Sequence, residues 1–299
     1  MASVTVRSYA KINLFLGVLG GRPDGYHEIR TVMQTVSLHD RIVLRAAAEG
    51  TMLRCDDPDV PSDATNLCAR AAEALRNRAA RAFLRAGKHG GVHIELSKRI
   101  PAGGGLGGGS SNAAATLRGL NFLLGSPLGD DELYAAAAEI GADVPFFLTG
   151  GAALATGIGE RIEPLPCAAP LWTVLAKPGA SMGTAAAYRL LDEVGAGRDG
   201  DGKAVARGLA AGDVEQVARG LGNAFWPAVS RALPELAELR HRLLELGAAG
   251  ACLTGSGSCM FGLFADERQA VRAAREMRSL VPFAEPAVTV AMGHEIVRT

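Results

Sequence analysis

The sequence has no excess of charge of either sign, with 31 Lys and Arg against 31 Asp and Glu. A protein that tracks a nucleic-acid backbone is normally strongly basic, so the balance argues against that partner. There is no C-x-x-C pair, and the five cysteines, Cys55, Cys68, Cys167, Cys252 and Cys259, are odd in number. Neither a disulfide framework nor a zinc site is expected, and each is read as a reduced, buried thiol. No run of 18 apolar residues occurs, and no apolar signal segment follows Met1. The expectation is a soluble, cytoplasmic chain without membrane contact. Apolar residues at 48% and charged residues at 21% exclude wholesale disorder.

What the 299 residues do contain is glycine, 38 in all, and its placement carries information. The length predicts about two domains at roughly 150 residues each. Period-two or β-branched stretches predict strands at 4–8, 31–38, 41–45, 92–96, 151–156 and 172–176. Helical spacing predicts helices over 66–78, 112–124, 130–140, 144–148, 184–194, 213–221, 233–246 and 266–280. Asp130 or Asp131 is the expected cap of the third helix and Gly141 its stop. Short strands are expected at 251–253, 259–264 and 288–291, and a glycine-rich linker at 195–202. Strands and helices segregate rather than alternate, which favours α+β, with the strand-rich half ending near residue 160.

Six of the seven residues Gly103, Gly104, Gly105, Leu106, Gly107, Gly108 and Gly109 are glycine, followed by Ser110 and Ser111. Glycine lets backbone approach a ligand closely, and the next helix aims free N–H groups and its positive dipole end at the loop. That makes an anion site suited to a polyphosphate, to which the two serines add hydroxyls for a phosphate or Mg²⁺. A flexible linker fits poorly between a strand and a helix. A Rossmann loop matches G-x-G-x-x-G formally, but Pro101 interrupts the strand-to-glycine step, and no second strand with an acidic end follows. A Walker A loop fails because Ser110 stands where lysine is required. A nucleotide-phosphate loop of a third kind remains.

Other residues have plainer readings. Asp143, before Val144 and Pro145, is either an ordinary helix cap or a general base. Lys11 lies in the apolar stretch 10–16, where a lone lysine is commonly a snorkelling strand residue. Asn13 shares its face if the stretch is a strand. Tyr26 and His27 follow a Pro-Asp-Gly turn, Lys98 ends a strand, and Gly255, Ser256 and Gly257 form a second glycine turn. His39, His89, His93, His241 and His294 show no metal-ligand pattern.

The run Pro101, Ala102, Gly103 to Ser111 resembles the phosphate loop of the GHMP kinases. Three further segments agree in order: Ala10 to Leu16 with Asp24 to His27, Gly141 to Pro145, and Leu253 to Cys259. The first and second are similar to the family that phosphorylates 4-diphosphocytidyl-2-C-methyl-D-erythritol with ATP in the non-mevalonate route to isoprenoids. The resemblance implies a two-domain GHMP-kinase fold, residues 1–160 and 161–299, with the active site in the interdomain cleft. It implies ATP over Pro101 to Ser111, Mg²⁺ carried by ATP without a dedicated protein cage, and a small-molecule substrate bearing cytidine diphosphate. Asp143 becomes the acid–base residue and Lys11 its partner. Asn13 contacts the methylerythritol part, Tyr26 stacks on cytosine, His27 hydrogen-bonds it and Tyr188 covers its other face. Lys98 and Thr184 are further substrate candidates, and the Gly255 turn supports the phosphate region. The family often has Asn-Asp where this chain reads Asn223-Ala224, and that stretch is given no role. Another GHMP kinase of the mevalonate or homoserine type, and a nonenzymatic nucleotide binder on the same fold, are the alternatives. The oligomeric state is open.

Overall fold

The computed structural model describes residues 3–47, 49–80, 91–197 and 200–297. Its first sheet is built on two long antiparallel strands, β1 (Ser3–Gly21) and β2 (His27–Ala47). The strands predicted at 31–38 and 41–45 are one strand, because His39 and Asp40 continue the pairing and a register shift at Tyr9/Ala10 absorbs the irregularity. The other half of β2 pairs with β4 (Gly91–Ser97), which pairs in parallel with β3 (Thr51–Cys55). β5 (Ala152–Gly157) pairs with β2 and with β6 (Arg161–Leu165). The second sheet has the order β11 (Phe283–Val288), β7 (Trp172–Lys177), β10 (Met260–Phe264), β9 (Gly250–Leu253).

Four helices cover the first sheet: α1 (Leu67–Arg78), α2 (Gly108–Leu123), α3 (Asp130–Ile140) and α4 (Val144–Thr149). The rest follow in the second half: α5 (Thr184–Val194), α6 (Gly202–Ala211), α7 (Val214–Gly220), α8 (Trp226–Ala232), α9 (Glu235–Glu245) and α10 (Glu267–Met277). Asp213 and Asp266, read as first helical residues, are the caps of α7 and α10, accepting from Gln216 N and Gln269 N. Gly129 rather than Asp130 caps α3, with Glu132 reaching back to its N–H. The predicted linker is cut short, because Asp201 caps α6 through Lys203 N. Residues 198 and 199 of that linker, and His89, lie outside the described residues. The last predicted strand is displaced, since β11 ends at Val288.

The sheets do not divide at residue 160. β6, the two-residue β8 (Gly222–Asn223) and β12 (His294–Val297) all belong to the first sheet, the last two pairing with β1. A buried cluster joins Ala10, Ile12 and Leu14 of β1 to Leu175 of β7 and Phe261 of β10. β1 therefore runs through the junction of both halves. Among the described residues, no helix is long and apolar enough to cross a membrane.

Candidate active site

The glycine segment is held by three backbone bonds from two sides. Lys11 N donates to Leu106 O, Ser258 N to Gly103 O and Cys259 N to Gly104 O. Glycine is required where these approaches are closest. At Gly105, with φ +72°, a Cβ would lie 2.1 Å from Thr254 O. At Gly107, with φ +70°, it would lie 2.7 Å from the Phe147 ring and 3.1 Å from Lys11 Cγ.

The loop is shorter than the sequence suggested. Helix α2 begins at Gly108, so Gly108, Gly109, Ser110 and Ser111 are its first turn. Its cap Gly107 has no side chain to satisfy the exposed N–H groups, which leaves them for an anion. A cavity of about 300 Å³ lies over this turn, walled by Asp59 to Pro61, Thr65 to Leu67, Lys98 and Ile100 to Gly109. Ser110 is half-buried beside it. Ser111 is turned inward, fully buried, with its hydroxyl donating to Tyr9 O at 2.6 Å. Its expected phosphate contact is therefore not available to that hydroxyl.

Lys98 is no solvated strand end. Its ammonium pairs with Asp40 and donates to Asn112 Oδ1 at 3.1 Å. Asp40 is fully buried and also accepts from Arg99 N, Ile100 N and Asn112 Nδ2. This carboxylate fixes the chain just before Pro101. Sequence reading passed over it, although a lone acid between Leu38 and Ile42 in a strand pattern is itself a signal of a buried partnered charge.

Lys11 is 4% exposed, and its ammonium donates to Asn13 Oδ1 at 2.5 Å. Burial pushes the Lys11 pKa below the ordinary lysine range, and the charge of Asp143 opposes that shift. Asp143 occupies the cap position of α4, but its carboxylate makes no capping bond. It is half-buried and near Gly159, whose Cβ would lie 3.6 Å from its Oδ1. Its charge also reaches Tyr188, whose hydroxyl pKa is raised by burial first and by Asp143 second.

Asn13 is held by bonds within the protein. It is 2% exposed; its Oδ1 also accepts from Gly255 N and Thr254 Oγ1, and its Nδ2 donates to Thr31 Oγ1. Asn223, left without a role by the sequence, closes the same turn from behind by donating to Leu253 O and Gly255 O. Thr184 Oγ1 and Ser256 Oγ are 3.2 Å apart, which brings α5 to the second glycine turn. Gly257 N bonds Thr254 O within that turn.

The expected aromatic arrangement is altered. The ring stacked on Tyr188 is that of His27, with centroids 4.5 Å apart and 24° between planes. His27 Nε2 is 2.8 Å from Asp192 Oδ1. Tyr188 meets Phe225 edge-on, and Tyr26 is 59% exposed on the preceding turn. No group of three or more His, Cys, Asp or Glu able to hold a metal ion occurs among the described residues.

This phosphate-loop architecture has relatives. The GHMP kinases N terminal domain matches residues 66–151, and the GHMP kinases C terminal domain matches residues 205–282. The 4-diphosphocytidyl-2-C-methyl-D-erythritol kinase of Pelotomaculum thermopropionicum is 44% identical over 92% of this chain and 94% of its own length. The chain belongs to the 4-diphosphocytidyl-2-C-methyl-D-erythritol kinase family of GHMP kinases. A crystal structure of 4-(cytidine 5'-diphospho)-2C-methyl-D-erythritol kinase superposes with a TM-score of 0.80 at 37% identity, covering 95% of this chain and 98% of that one. The homoserine kinase of Cytophaga hutchinsonii shares the fold, with a TM-score of 0.75 at 21% identity over 99% and 98% of the two chains. The expected α+β GHMP-kinase fold is thus found.

Proposed function

We propose that this chain transfers the γ-phosphoryl group of ATP to the 2-hydroxyl of 4-diphosphocytidyl-2-C-methyl-D-erythritol, releasing ADP and the 2-phosphate. The observation that carries the reading is a buried Lys11 ammonium within the electrostatic reach of Asp143, whose carboxylate makes no capping bond, beside a glycine loop that opens a helix N-terminus. Family membership supplies the substrate.

Asp143 accepts the hydroxyl proton as the oxygen attacks the γ-phosphorus, and the bond from that phosphorus to the bridging oxygen of ADP breaks. The Lys11 ammonium offsets the charge that gathers on the transferring group. N–H groups of the Gly103 to Gly109 loop and the first turn of α2, with Ser110, cradle the ATP phosphates over the cavity that Lys98 helps to line. His27 and Tyr188 form the platform for cytosine, with Tyr26 at its rim, and Thr184 and Ser256 face the groove beside it. Mg²⁺ belongs to this reading as an ion that the ATP phosphates would carry. The kinase is taken as cytoplasmic, with no nucleic-acid or membrane partner, and its domains as 1–160 and 161–299 apart from the strands that return to the first sheet.

ADP release is measured with the cytidyl substrate, mevalonate, homoserine and galactose in turn. Turnover confined to the first, and lowered about 10²- to 10⁴-fold in Asp143→Asn, is the expected result. Turnover of another alcohol instead, or none by folded protein, contradicts the reading.

A further inference from the structure

Two lysines of the site lie in the field of a carboxylate: Lys98 in ion-pair contact with Asp40, and Lys11 near Asp143 without such contact. A third lysine has none. Lys177, the last residue of β7, is 8% exposed, and its ammonium donates to Ser181 Oγ at 3.0 Å and Pro178 O at 3.3 Å. Both partners are neutral, and no acidic side chain within ion-pair distance accompanies it among the described residues. A buried cation without a counter-ion is costly, so it persists only where something repays that cost.

The position of Lys177 suggests what does. Its stem lies against the glycine loop, 3.4 Å from where a Gly104 Cβ would stand, and Ser181 is 3.3 Å from the equivalent point at Gly103. The loop carbonyls on that side are tied to Ser258 N and Cys259 N, so the contact is held in place. Lys177 and Ser181 thus touch the glycine loop from the second half, while Lys98 lines the cavity on which the same loop borders.

We infer that Lys177, with the Ser181 hydroxyl, is a phosphate-oxyanion ligand on the second-half side of the glycine loop. The anion is a phosphoryl oxygen of ATP or of the diphosphate in the acceptor. The assignment of these two sources rests on the proposed kinase reading; the anion site itself does not.

The test compares the wild type with Lys177→Met and Lys177→Arg. Thermal unfolding is followed with and without inorganic pyrophosphate, and KM is measured separately for ATP and for the cytidyl substrate. A lysine kept for a ligand gives Lys177→Met protein at least as stable as wild type without anion, because an unpaired buried charge is gone. Pyrophosphate raises the melting temperature of the wild type and of Lys177→Arg, and not that of Lys177→Met. KM for one substrate rises about tenfold to a hundredfold in Lys177→Met, the range of a charged hydrogen bond, and which KM moves names the source. A wild type unmoved by pyrophosphate, or a Lys177→Met protein that responds as wild type does, overturns the inference. So does a Lys177→Met protein that is less stable with both KM values unchanged. A wild type without turnover contradicts the kinase reading alone, since the pyrophosphate comparison needs none.

Discussion

Asn13 Oδ1 accepts from the Lys11 ammonium at 2.5 Å and from the Gly255 N–H at 2.8 Å. One amide oxygen therefore sets the lysine of the first sheet against the glycine turn of the second. The Lys11 pKa lies below the ordinary lysine range, so the folded protein loses this proton before the unfolded chain does as pH rises. Two consequences have opposite signs. On the proposed reading the ammonium acts in the transfer, so kcat/KM is expected to fall on the alkaline side below the usual lysine pKa. Burying the cation is unfavourable, so Lys11 lets stability rise with pH between its lowered pKa and the ordinary one. In Asn13→Ala the alkaline limb of the kcat/KM profile moves to lower pH, because the ammonium loses an acceptor. An unmoved limb contradicts this account of Asn13.

Asp40 and Lys98 form the most enclosed ion pair of the site, with side chains 0% and 8% exposed. Breaking such a pair from one side leaves an uncompensated charge and costs about 3–5 kcal/mol. Asp40→Ala should show that loss in urea unfolding. Adding Lys98→Met should recover part of it, which a simple packing defect at residue 40 would not allow.

Gly105 tests the contact between the two glycine turns. Alanine there meets Thr254 O and must hold a left-handed backbone. Strain of about 1–3 kcal/mol at the loop corresponds to roughly 5- to 150-fold in kcat/KM. Gly129→Ala, at an open and unstrained position, serves as the control and should stay near wild-type activity.

The cysteines were all expected to be buried, and Cys167 is exposed. Burial pushes the thiols of Cys68, Cys252 and Cys259 up to about 12, which leaves almost no thiolate at neutral pH. Alkylation of native protein, read by peptide mass mapping, should label Cys167 first and leave these three unmodified until unfolding.

The long amphipathic helices were legible because burial on one face imposes their spacing, as in α1 and α10. The glycine loop was legible because so many left-handed and close-approach positions admit no other residue. Lys11 and Asp143 stood out only within segments resembling a known family, since each alone fits a plainer role. What stayed hidden was long-range partnership. Asp40 meets residues about 60 positions away, and Asn13 meets a turn 242 positions away. No local spacing encodes such pairs. The same limit explains why β12, which pairs with β1 from the far end of the chain, has no signal in the sequence.

The most direct test of the central claim is a ³¹P NMR spectrum of the products formed from ATP and 4-diphosphocytidyl-2-C-methyl-D-erythritol. The account predicts one new phosphomonoester on the 2-oxygen, ADP in equal amount and an unaltered diphosphate bridge. ADP with free phosphate and no new ester, or a lengthened phosphate chain, would contradict it.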